Sequence, residues 1–154
     1  MGGPGARGSR SSEGRKLKKE LEGYLESIED LVDQAEEEIS RVVKDRKERL
    51  RERTAQLIRN GEVEEKRLEQ EIALLADKVD ISEEAVRVRS HVEEALQVLK
   101  EGGAVGKKLD FIAQELKRET NTIGAKSKDS QLQSLAIEMK LETEKIKEQV
   151  RNIE

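Results

Sequence analysis

Two glutamates one helical turn apart, Glu115 and Glu119, are the side chains whose spacing alone points to chemistry. Carboxylates at i and i+4 share a helix face and can hold a hard divalent cation such as Mg²⁺ or Mn²⁺, which takes oxygen ligands and keeps waters for reaction. In a chain with 42% charged residues the same spacing also describes an ordinary solvated face. His91 is the single histidine, suited to metal ligation, proton transfer or a phosphate contact.

Helical geometry groups further polar residues with these. At 100° per residue, Lys107, Asp110, Gln114, Arg118 and Asn121 form one stripe nearly opposite the apolar one, with Glu115 and Glu119 on its flank. Glu84, Arg87, His91 and Glu94 line the polar face of the preceding helix, and Arg67, Glu71 and Lys78 share a side further upstream. Between Gly106 and Lys128, six basic residues stand against Asp110, Glu115 and Glu119, a local positive excess that suits phosphate. Phe111 is the only aromatic there, so a nucleic-acid contact would rest on the backbone and not on base stacking. No Walker-type glycine loop, HExxH or nucleophile elbow occurs, which argues against a nucleotide cofactor, zincin chemistry and a serine triad.

The elements that must position these residues are all helical. From about Glu13 to Arg59, apolar residues from Leu17 to Leu57 recur at spacings of three and four, which predicts one long helix whose seam is interrupted by Arg46 and Arg53. Asn60-Gly61 breaks it, and a second helix is expected from about Glu62 to Lys78, burying Leu68, Ile72, Leu75 and Val79. Asp80, with Glu83 reaching back, reads as the cap of a third helix that buries Ala85, Val88, Val92, Leu96 and Leu99 and stops at Gly102-Gly103. A fourth is expected from about Val105 to Ile123, ending at Gly124, and a fifth from about Ser130 to Asn152 in heptad-like register. The expected fold is all-α: an elongated helical bundle with one long N-terminal helix, four shorter helices and coiled-coil-like seams.

Composition supports this shape. Only 34% of the 154 residues are hydrophobic and 1% aromatic, too little for a thick core but enough for narrow helix contacts flanked by long charged side chains. The net charge of −4 conceals thirty basic and thirty-four acidic residues, so local charge decides any surface. The lack of cysteine removes disulfides and thiolate chemistry and fits a cytoplasmic location, and no apolar run reaches membrane-spanning length.

Several blocks then resemble a known family. Arg67-Leu68-Glu69-Gln70-Glu71, Ala76 through Glu84, Arg87 and Ser90-His91-Val92 are similar to the C-terminal region of the YicC/YloC family of bacterial endoribonucleases. Gly106 through Phe111, Gln114-Glu115-Leu116, Arg118-Glu119, Asn121-Thr122-Ile123, Lys126-Ser127 and the closing Glu148 to Glu154 resemble the same family. The resemblance implies a divalent-cation-dependent RNA phosphodiester hydrolase that works as a ring-like homo-oligomer in the cytoplasm. It raises Glu115, Glu119, His91 and Asp110 as catalytic candidates, Glu71, Glu84, Glu115 and Glu119 as metal ligands, and Lys107, Lys108, Arg118 and Lys126 as phosphate contacts.

The expected organisation is a disordered leader or remnant over 1–12, a long helix over 13–61 and a YicC/YloC-like helical domain over 62–154, the whole being a C-terminal half without the family's N-terminal domain. Catalysis requires side chains from separate helices to converge over one groove. The competing readings are a helical oligomerisation or scaffolding module and an RNA-binding protein that does not cleave.

Overall fold

The computed structural model describes residues 4–60 and 65–152, with side chains from Glu13 to Arg59 and from Lys66 to Asn152. Four helices follow one another: α1 (Pro4–Asn60), α2 (Glu65–Glu101), α3 (Gly106–Lys126) and α4 (Ser130–Val150). There is no strand among the described residues. Of the disordered leader expected over 1–12, residues 1–3 lie outside this description and the backbone of 4–12 is the start of α1, while the Asn60-Gly61 break lies outside it on its glycine side.

Short connections make neighbouring helices antiparallel, and each packs on the next in a closed cycle, α1 on α2, α2 on α3, α3 on α4 and α4 back on α1. Its centre is aliphatic. Leu25, Ile28 and Val32 of α1 meet Val88 and Val92 of α2, Ile112 and Leu116 of α3, and Leu135 and Met139 of α4 in one buried cluster. Each such side chain contributes about 1.5–3 kcal/mol by leaving water. Polar ties sit at the rim: Arg89 of α2 reaches Asp33 and Glu36 of α1, and Lys117 of α3 lies 3.4 Å from Glu144 of α4.

Four helices, and not five, form because α2 absorbs the second and third expected ones. Positions 71, 74, 78, 81, 85, 88, 92, 95 and 99 keep spacings of three and four without a break, and no glycine or proline interrupts Glu65–Glu101. The capping preference of Asp80 is too weak to stop a helix whose inner face continues to pack. Asp80 instead accepts from Lys126 at 3.0 Å. The buried stripe also differs: Ile72 and Val79 are 51% and 44% exposed, while Glu71 and Lys78 turn inward. Arg46 and Arg53, the interruptions of the α1 seam, face Glu71 at 3.6 and 3.8 Å. The interruptions on the two helices thus answer each other.

Gly102 and Gly103 do end α2, with φ of 74° and 83° in the left-handed region that favours glycine. Gly124 does not end α3, which runs on to Lys126. Asp129 opens α4, its side chain accepting from the Gln131 N–H at 3.2 Å. Among the described residues no helix is long and apolar enough to cross a membrane.

The body and an arm can be told apart. Asp129, at the start of α4, lines a small cavity with Val42, Arg46 and Lys78. Beyond that level α1 is opposed by α2 alone among the described residues, so the two helices continue as a hairpin past the four-helix body.

Candidate active site at the α2–α3 seam

The buried residues of α3 include Leu109, Ile112, Leu116, Glu119 and Ile123, again at spacings of three and four. Glu119 therefore occupies a core position and is 0% exposed, where its spacing from Glu115 had placed it on the polar flank. The other buried polar side chains of α3 and α4, Thr120 and Thr143, return their hydroxyls to carbonyls of their own helix, at 2.9 Å to Leu116 and 2.8 Å to Met139. Glu119 finds its partner on α2. His91 Nδ1 lies 2.5 Å from Oε1 and 3.0 Å from Oε2 of Glu119, with the imidazole 22% exposed.

A carboxyl group in this position is costly to ionise. Burial pushes the Glu119 carboxyl above its ordinary value, His91 pulls it back, and Glu84 and Glu115 push it up again, with a net rise. The two flanking glutamates are each held by an arginine on their own helix, Glu84 by Arg87 and Glu115 by Arg118, both at 2.5 Å. Arg118 is also within electrostatic reach of Glu84 and Glu119, and Lys126 of Glu84. Across the seam Asp80 of α2 meets Lys126 of α3 and His91 meets Glu119, with the Glu84–Arg87 and Glu115–Arg118 pairs each formed within one helix.

The residues expected at the site divide accordingly. His91, Glu84, Glu115, Glu119, Arg118 and Lys126 come together on this seam. Glu71 does not: it is bound by Arg46 and Arg53 in the arm, and lies thirteen residues or about 20 Å of helix before Glu84. Asp110 accepts from Gln114 at 3.1 Å and lies about 13 Å of helix rise before Glu119. Lys107 and Lys108 are exposed at the opposite end of α3. Asp80 joins the cluster through Lys126, and Arg87, which shares the polar face of His91, joins it through Glu84.

A cation site is a separate matter. Among the described residues no group of three or more histidine, aspartate or glutamate side chains is arranged to hold a metal ion. The donors explain why: Glu84 and Glu115 are engaged by guanidinium groups and Glu119 by His91. As arranged in one chain, the donors do not fit a divalent cation.

Residues 35–154 match the family model described as Endoribonuclease YicC-like, C-terminal. The chain belongs to that family. The match opens within α1 and takes in all of α2, α3 and α4, so the entire His91–Glu119 seam lies inside the YicC-like region. A protein of Clostridioides difficile (strain 630) named Probable endoribonuclease YicC is 40% identical over 146 residues, covering 94% of this chain and 50% of that protein. A protein of Haemophilus influenzae with the same name is 39% identical over 145 residues, with the same shares. The chain spans about half the length of the curated relatives it matches.

Proposed function

We propose that this chain carries the RNA-cleaving groove of an endoribonuclease, with His91 and Glu119 as its proton-handling pair. The contact between the two, inside the YicC-like region, is the observation that carries the reading. A buried carboxyl against Nδ1 fixes the ring and its tautomer, with Nδ1–H donating to Glu119, which leaves Nε2 to take a proton from the hydroxyl or water that attacks phosphorus. Arg118 and Lys126, on the same seam, offset the charge that develops on the phosphoryl oxygens, while Lys107 and Lys108 meet the RNA backbone further along α3.

A divalent cation, Mn²⁺ or Mg²⁺, belongs to the proposal as a requirement to be measured, and no step is assigned to it. A ring-like homo-oligomer and a cytoplasmic location are proposed with it. Self-association as a scaffold is the second reading, favoured by Ile72, Val79 and Val86, which stand exposed seven residues apart along α2. The deciding experiment incubates the chain with a labelled structured RNA, first with Mn²⁺ and then with chelator. Cleavage that is lost in His91→Ala supports the groove; RNA bound but intact indicates a non-cleaving binder; neither leaves the scaffold.

A further inference from the structure

The arm carries a charge pattern unlike the rest of the molecule. From Arg41 to Arg53 seven basic residues stand against three acidic ones, an excess of four positive charges in a chain whose net charge is −4. Some of these are internally used. Arg46 and Arg53 turn toward Glu71, and Arg41 is bound to Glu38 and Asp45. Lys44, Lys47 and Arg51 are exposed and have no ion pair among the described residues. They share one face of α1, at i, i+3 and i+7, where they line a shallow groove with Ser40, Val43 and Glu48. At helical spacing this face continues the outer side of α1 on which Asp33 and Glu36 meet Arg89 of α2.

We propose that the face formed by Lys44, Lys47 and Arg51 is a docking surface for an RNA backbone, reached by the strand that also enters the α2–α3 seam. The inference rests on the RNA-cleaving reading above. From Lys44 to Arg51 is two helical turns, about 10.5 Å, so the three cations follow one another at roughly 5 Å along the axis, a line that successive phosphates of one strand can track. Three unpaired cations along such a line are complementary to a regularly charged strand. An isolated anion would need them converging on one point. The face holds no aromatic side chain, so recognition is by charge and is insensitive to base sequence.

The test measures binding of a labelled structured RNA to the full chain in chelator, by fluorescence anisotropy, between 50 and 200 mM salt. The triple variant Lys44→Ala, Lys47→Ala, Arg51→Ala is compared with Lys16→Ala, Lys100→Ala, Lys140→Ala, which removes the same net charge from exposed sites elsewhere. Alanine keeps the substituted helices intact, and circular dichroism checks it. The expected result is a salt slope lower by about two to three in the first variant, with affinity at least tenfold weaker at low salt, and little change in the second. Equal slopes for the two variants would overturn the docking surface. Wild-type chain that shows no salt-dependent binding overturns this surface together with the RNA reading. Full cleavage by His91→Ala, with the slope still lost in the arm variant, would remove the proposed pair and leave the surface standing.

Discussion

Nδ1 of His91 on α2 lies within 3.0 Å of both carboxylate oxygens of Glu119 on α3, and Glu119 has no exposure to solvent. A histidine held in this way from behind has one orientation and one free nitrogen. If the pair handles the proton, His91→Ala lowers the cleavage rate by about 10²–10⁴-fold, the range of general acid–base catalysis. Glu119→Gln keeps the shape but weakens the hold on the ring, and is expected to cost less than the loss of the imidazole. Single-turnover cleavage of a labelled RNA checks both, and equal rates in all three chains would dismiss the pair.

The same burial sets a pH dependence of stability. The Glu119 carboxyl titrates above its ordinary value in the folded chain, so between that ordinary value of 4.5 and the raised one the folded state binds more protons than the unfolded. Stability therefore falls as pH rises through this window, the reverse of a salt-bridged carboxylate. Urea midpoints measured upward from pH 4.5 should decline more in the wild type than in Glu119→Gln. A difference that grows in the opposite direction would show that His91 outweighs burial.

Lys78 is the arm's counterpart, a cation 4% exposed at a core position of α2. Burial lowers its pKa, against the attraction of Asp129. Between the lowered value and 10.5 the unfolded state holds the extra proton, so stability rises with pH there. Lys78→Met keeps the volume and removes the charge, and is expected to stabilise the fold at neutral pH by about 1–2 kcal/mol while flattening that rise. A lower urea midpoint at pH 7 would mean that the partnership with Asp129 is worth more than the desolvation it costs.

Two glycines should respond in opposite senses to the same substitution. A Cβ on Gly124 would lie 3.6 Å from the Ala136 Cβ, an ordinary contact, and the residue is inside α3, so Gly124→Ala is expected to add up to about 1 kcal/mol. Gly103 has open space around it but a φ of 83°, and Gly103→Ala should cost about 1 kcal/mol through backbone strain. Thermal melts of the two variants, shifting up and down respectively, test this.

The register of burial explains which parts of the site were readable beforehand. Glu119 follows Leu109, Ile112 and Leu116 at core spacing, so its burial was available from the pattern, yet the i,i+4 relation to Glu115 invited a reading as a surface pair. Glu71 and Lys78 are the same case on α2: both are buried, while the apolar pattern alone draws the stripe through the exposed Ile72 and Val79. Charged residues at seam positions disguise the seam, because apolar periodicity is the signal by which it is recognised. Asp80 is a related case, since local capping preference cannot weigh the packing that carries α2 through it.

Residue order alone determined that the chain is helical, that α2 stops at Gly102-Gly103, and that the blocks from Arg67 onward belong to a YicC-like protein, because periodicity, left-handed glycines and short motifs are local properties. Which polar faces meet is not local. His91 and Glu119 are twenty-eight residues apart, and only the antiparallel packing of α2 on α3 sets them in contact while leaving Glu71 with Arg46 and Arg53. The physical reason is that the helical period fixes which of a helix's own side chains share a face but carries no information about the partner's axial position, which the summed burial of the aliphatic seams decides.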